Sequence, residues 1–89
     1  MTLDASRIAS IVALAKSYGV TRLILFGSAT EGGPDVRDID LACDGVPGWK
    51  LFDLAARIEE ALGIPVDLIP LVPETRFTRT LLRKGKVLL

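Results

Sequence analysis

The sequence predicts an α+β domain in which helices cover a mixed sheet of three or four strands, and two observations carry that prediction. Stretches with apolar residues at helical spacing interleave with short apolar or alternating runs, in the order helix, strand, strand, helix, strand, helix, with room for a short final strand. The chain of 89 residues is read as one domain spanning 1–89, small enough to bury only about 60% of its extended-chain surface.

Each element has its own signal. From Asp4 to Tyr18, Ile8, Ile11, Val12 and Ala15 recur at helical spacing, with Asp4 as the candidate N-cap and Gly19 as the stop. Arg22 to Phe26 is a short apolar run ending at Gly27, which suits a buried strand. Gly27-Ser28 turns the chain out of it, and Glu31 to Arg37, with Gly32, Gly33 and Pro34, reads as a loop. Asp38 to Cys43 alternates Ile39, Leu41 and Cys43 with Asp38, Asp40 and Ala42, a strand with one apolar and one acidic face. After the turn Asp44 to Gly48, Leu51, Leu54, Ala55, Ile58 and Leu62 trace a helical stripe that stops at Gly63. Ile64 to Leu71 reads as a third strand with prolines near its ends, where a missing ladder donor is tolerated. A helix over about Glu74 to Arg83 closes at Lys84-Gly85 before the last residues, Lys86 to Leu89. The expected arrangement is two layered.

Composition narrows the chemistry. Basic and acidic residues balance at 11 each, so net charge points to neither a membrane nor nucleic acid, and direct nucleic-acid binding is not expected. One cysteine excludes an internal disulfide framework, and no leader-like segment opens the chain, so the cytoplasm is the expected location. No apolar run approaches the roughly 20 residues that span a bilayer. A mean hydropathy of +0.41 is high for so small a chain and points to a partner surface, in a homo- or hetero-oligomer. The absence of histidine removes Ser-His and Cys-His hydrolysis and His-rich zinc sites. Carboxylates, hydroxyls and backbone remain.

Asp38 and Asp40 lie two apart on the second strand, on one face and about 6.6 Å apart at Cα. Two like charges placed so can share a cation, and oxygen ligands of this kind suit Mg²⁺ or Mn²⁺. Paired ions about 3.5–4 Å apart can clamp the attacking and leaving oxygens of a phosphoryl displacement. Asp67 stands alone among Ile64, Val66, Leu68 and Ile69, where unpaired burial is costly. If its strand neighbours the second, Asp67 completes a three-carboxylate site; otherwise it pairs with an arginine and the other two edge a solvated face. Gly27 allows close backbone approach to a phosphate, and a helix starting at Ser28 aims N–H groups at it, although Gly-Ser is also an ordinary strand-to-helix turn.

Taken together, a strand, Gly27-Ser28, nine residues from Ala29 to Arg37, and Asp38-Ile39-Asp40-Leu41 resemble the signature of nucleotidyltransferases of the DNA polymerase β superfamily. Length and the ending Arg79 to Leu89 are similar to the minimal nucleotidyltransferases, or MNT proteins, and the resemblance covers nearly the whole chain. It implies the polymerase β-like fold, nucleotide triphosphate held at Gly27 and Ser28, and two Mg²⁺ or Mn²⁺ ions on Asp38 and Asp40. It further implies that Asp67 shares in the metal site and helps activate the attacking hydroxyl. The implied reaction moves a nucleoside monophosphate, AMP from ATP, to a hydroxyl of a partner, with a HEPN-domain toxin as that partner and this chain as antitoxin. The alternative is a degenerate module that neutralises its partner by masking it.

The chain departs from the family pattern in two places. Ala29, Thr30 and Glu31 stand where many members carry an arginine, and Arg37 stands where serine is common. Arg37 either restores positive charge or pairs with Asp35. Arg76, Arg79, Arg83, Lys84 and Lys86 form a basic stripe whose plain reading is a solvated helix face and whose functional reading is contact with RNA, phosphate or an acidic partner. Trp49 either stacks on a base or, more commonly for such a residue, caps the core; Cys43 is expected to be inert core.

Overall fold

In the computed structural model, which describes residues 1–89, the elements follow the expected order. They are α1 (Ala5–Ser17), β1 (Arg22–Phe26), a 3-10 turn (Gly27–Glu31), β2 (Ile39–Asp44), a second 3-10 turn (Gly48–Lys50), α2 (Leu51–Leu62), β3 (Val66–Pro70), α3 (Arg76–Lys84) and β4 (Lys86–Val87). The sheet is mixed, with order β3-β2-β1-β4. β1 pairs antiparallel with both β2 and β4, whereas β2 and β3, joined through α2, run parallel.

Local chemistry sets the boundaries. The Asp4 carboxylate accepts the Arg7 N–H at 2.9 Å and caps α1. Gly63 ends α2 in the left-handed region at φ 76°, with its N–H donated to the Glu59 carbonyl. α3 begins two residues later than the spacing predicts, because Thr75 and Thr78 form a reciprocal capping box that leaves Glu74 outside. That pair lacks the Glu or Gln by which such a box is normally recognised.

The two faces of the sheet are covered unequally. α1 and α2 bury Ile11, Ala15, Leu51, Leu54 and Ile58 against Leu23, Leu25, Ile39, Leu41, Cys43 and Val66. On the opposite face α3 lays Leu81 over Ile24, Ala42 and Leu71. The face of β2 expected to be acidic is therefore acidic only at its start, since Ala42 is fully buried beneath α3. Trp49 does not cap the core: it is 77% exposed, with the Lys50 ammonium 5.2 Å above its ring. No helix is long and apolar enough to cross a membrane.

Candidate functional site

Register assembles the acidic residues. Phe26 pairs with Asp40, and Asp40 pairs with Asp67, so the three stand in one row across β1, β2 and β3. Partners in register share a face, and adjacent strands lie about 4.8 Å apart, so the Asp40 and Asp67 side chains rise side by side. Asp38 directly precedes β2, one residue outside the strand expected to contain it, and is exposed. Asp67 is exposed as well, because β3 is an edge strand, so its charge is not buried as its apolar neighbours predict.

Gly27 is fixed in place by Asp40. Its φ is +74°, and a Cβ there would fall 2.4 Å from Asp40 Oδ2. Any other residue would be strained in that backbone and would push the Asp40 carboxylate aside. Gly27 therefore brings the exit of β1 against the acid on β2. Ser28, the next residue, is exposed in a five-residue 3-10 turn rather than at the head of a longer helix, so the dipole expected of a helix is largely missing.

The acidic row has no basic partner. The chain's ion pairs join Arg7 to Asp4 and Arg22 to Asp44, leaving Asp38, Asp40 and Asp67 unpaired, and Arg37 does not pair with Asp35. Partial burial, then the charges of Asp38 and Asp67, raise the Asp40 carboxyl above its ordinary value. No three His, Cys, Asp or Glu side chains converge closely enough to enclose a metal ion. The donor types nevertheless fit a hard divalent cation: they are carboxylate oxygens, Asp40 and Asp67 stand in register with Asp38 two residues from Asp40, and their charge is uncompensated.

Beside Gly27 opens a cleft of about 270 Å³, with Phe26, Gly27 and Thr30 on one wall and Thr80, Lys84 and Gly85 on the other. Thr30, Thr80 and Lys84 join the site only through folding, and the one sequence signal for any of them is the basic stripe that includes Lys84. A larger cavity of about 570 Å³ between α1 and β4 is mainly apolar and lacks the acidic row. Glu31 is exposed and unpaired.

The sequence matches no protein-family model and no curated protein. Solved structures do match. A protein assigned as a minimal nucleotidyltransferase superposes with a TM-score of 0.79 at 25% identity, covering 97% of this chain and 95% of that one. This chain has the minimal nucleotidyltransferase fold. Two further likenesses are to toxin-antitoxin complexes. A toxin-antitoxin structure with AMP-PNP matches with a TM-score of 0.77 at 25% identity, over 92% of this chain and 72% of that chain. The tri-AMPylated Shewanella oneidensis HEPN toxin in complex with MNT antitoxin matches with a TM-score of 0.74 at 23% identity, over 94% and 70% of the two chains.

Proposed function

We propose that this chain is a metal-dependent nucleotidyltransferase that moves AMP from ATP to a hydroxyl of a HEPN-domain toxin and so acts as its antitoxin. The observation that carries the reading is the row of Asp40 and Asp67 with Gly27 packed on the Asp40 carboxylate and no basic side chain to neutralise it. The solved complexes with AMP-PNP and with an AMPylated HEPN toxin support the nucleotide and the partner.

In this reading Asp38 and Asp40 would hold Mg²⁺ or Mn²⁺, with Asp67 completing the set, and the ions would supply neutralisation of the phosphate charge. Gly27 admits the phosphate chain close to the backbone, and the Ser28 hydroxyl donates to a phosphate oxygen. Asp67 accepts the proton as the partner's hydroxyl oxygen attacks the α-phosphorus. The bond from that phosphorus to the bridging oxygen breaks, and pyrophosphate leaves.

The test is to incubate the chain with a HEPN-domain protein from the same genome, Mg²⁺ and α-labelled ATP. Label on the HEPN protein is expected, with none for Asp38→Asn/Asp40→Asn. A second reading, neutralisation by binding alone, draws on the carboxylates not converging and on the exposed Trp49 and Phe52. Absence of label together with full neutralisation by the double variant would establish it instead.

A further inference from the structure

We propose that Lys84, the last residue of α3, is a further nucleotide-binding residue: its ammonium, in the cleft between the Gly27–Glu31 turn and α3, is the counter-charge for the phosphate chain that Gly27 and Ser28 hold. The inference rests on the nucleotidyltransferase reading and assigns to that site a residue from the far end of the chain.

Three observations lead there. First, the cleft is continuous with the acidic row through Gly27, which forms one wall and also touches the Asp40 carboxylate. A ligand reaching from the carboxylates past Gly27 enters this cleft. Second, its size suits a fragment. Pockets that enclose a whole drug-sized ligand span roughly 300–1,000 Å³, so about 270 Å³ takes a short phosphate chain and leaves the nucleoside outside.

Third, the charges favour it. Asp38, Asp40 and Asp67 are acidic and unpaired, and the turn after Ser28, Ala29 to Glu31, supplies no cation; the basic residue beside the aspartates, Arg37, is exposed and does not line the cleft. Lys84 is the one cationic side chain lining the cleft, and no carboxylate pairs with it. It is the last residue of α3, so its flexible stem carries the ammonium past the helix's C-terminal carbonyls, whose partial negative charge would otherwise oppose an anion. Thr30 and Thr80 also line the cleft; their hydroxyls, now donated to the carbonyls of Gly27 and Arg76, are rotatable donors that could serve phosphate oxygens instead.

Calorimetric titrations of inorganic tripolyphosphate, AMP-PNP and AMP in Mg²⁺ test this on the wild type, Lys84→Ala, Lys84→Gln, Lys84→Arg and Lys86→Ala. Lys86 lines the other cavity and matches the change in net charge. Losing a charge-assisted contact should weaken tripolyphosphate and AMP-PNP by about tenfold or more in both neutral Lys84 variants. AMP should be unaffected, Lys84→Arg should recover most of the loss, and Lys86→Ala should change binding less than about twofold. Equal loss in the Lys84 and Lys86 variants, equal loss for AMP, no loss, or no tripolyphosphate binding by the wild type would each overturn the assignment. Failure of the underlying reading looks different: the wild type would leave no label on the HEPN protein, whatever the Lys84 variants do to tripolyphosphate binding.

Discussion

The two faces of the sheet do different work with the same strands. Beneath α1 and α2 lies the larger buried cluster, apolar throughout, so that face holds the domain together. On the other face Leu81 of α3 and three residues beneath it form a small cluster, and one pleat further along the row becomes Phe26, Asp40 and Asp67. A domain this small has one core to spend on stability. Its polar groups are concentrated where that core is absent, so repulsion among the acids is offset by packing on the opposite side.

Breaking the acidic face should give the largest effect, and only in function. Asp38→Asn/Asp40→Asn is expected to lower AMP transfer by more than about 100-fold while the thermal melt at neutral pH stays equal or rises. The sign follows from Asp40. Its raised carboxyl favours the folded state at acid pH, and that contribution is lost as pH rises through the folded value, so at neutrality the ionised group opposes folding. A melt that falls sharply would place Asp40 in the stabilising scaffold.

The packed face should respond in the opposite way. Ile58, fully buried on α2, when changed to Ala should cost about 2–5 kcal/mol. Denaturant unfolding measures that loss, and residual transfer activity at low temperature should survive in the folded fraction. Gly27→Ala tests the seam between the faces: positive φ and the encroachment on Asp40 predict a stability loss of about 1–3 kcal/mol and a disproportionate drop in transfer.

Cys43 gives the smallest effect and sharpens the contrast from inside the core. Burial, then the Asp44 charge, pushes its thiol up to about 11 from 9.0. The folded protein keeps the proton that the unfolded chain releases, so stability is full below pH 9 and falls as pH rises toward 11. Wild type should lose about 1 kcal/mol relative to Cys43→Ala between pH 8 and pH 10. Equal losses in both proteins would show that the thiol is not the source.

Signals carried within a few residues were legible in the sequence: the caps at Asp4 and Gly63, the apolar run of β1, and the spacing of Asp38 and Asp40. Asp67 stood out because it interrupts an apolar run. What was not legible depends on strand order. Nothing local to Val66–Pro70 says that β3 lies at the sheet edge, which leaves Asp67 in solvent. Nothing local to Arg76–Lys84 says that α3 crosses to the face opposite α1 and α2, burying Ala42 and drawing Lys84 to Gly27. Trp49 is not a core cap, because Gly48–Lys50 form a turn that leaves the ring outside the core, and nothing local to the residue signals that.

The edge strand also carries its own proofreading. Side chains on a strand alternate, so sliding β3 by one residue along β2 would exchange Asp67 with Leu68 and drive the carboxylate toward the α2 side, where Val66 is buried. An unpaired charge there is prohibitively costly. The Glu59 carboxylate accepts the Val66 N–H at 3.1 Å, and the Leu71 N–H reaches the Cys43 carbonyl at 2.8 Å, pinning both ends of the strand. A mispaired molecule therefore cannot persist as a folded protein with a faulty centre: the fault that would displace Asp67 is the same fault that unfolds the chain.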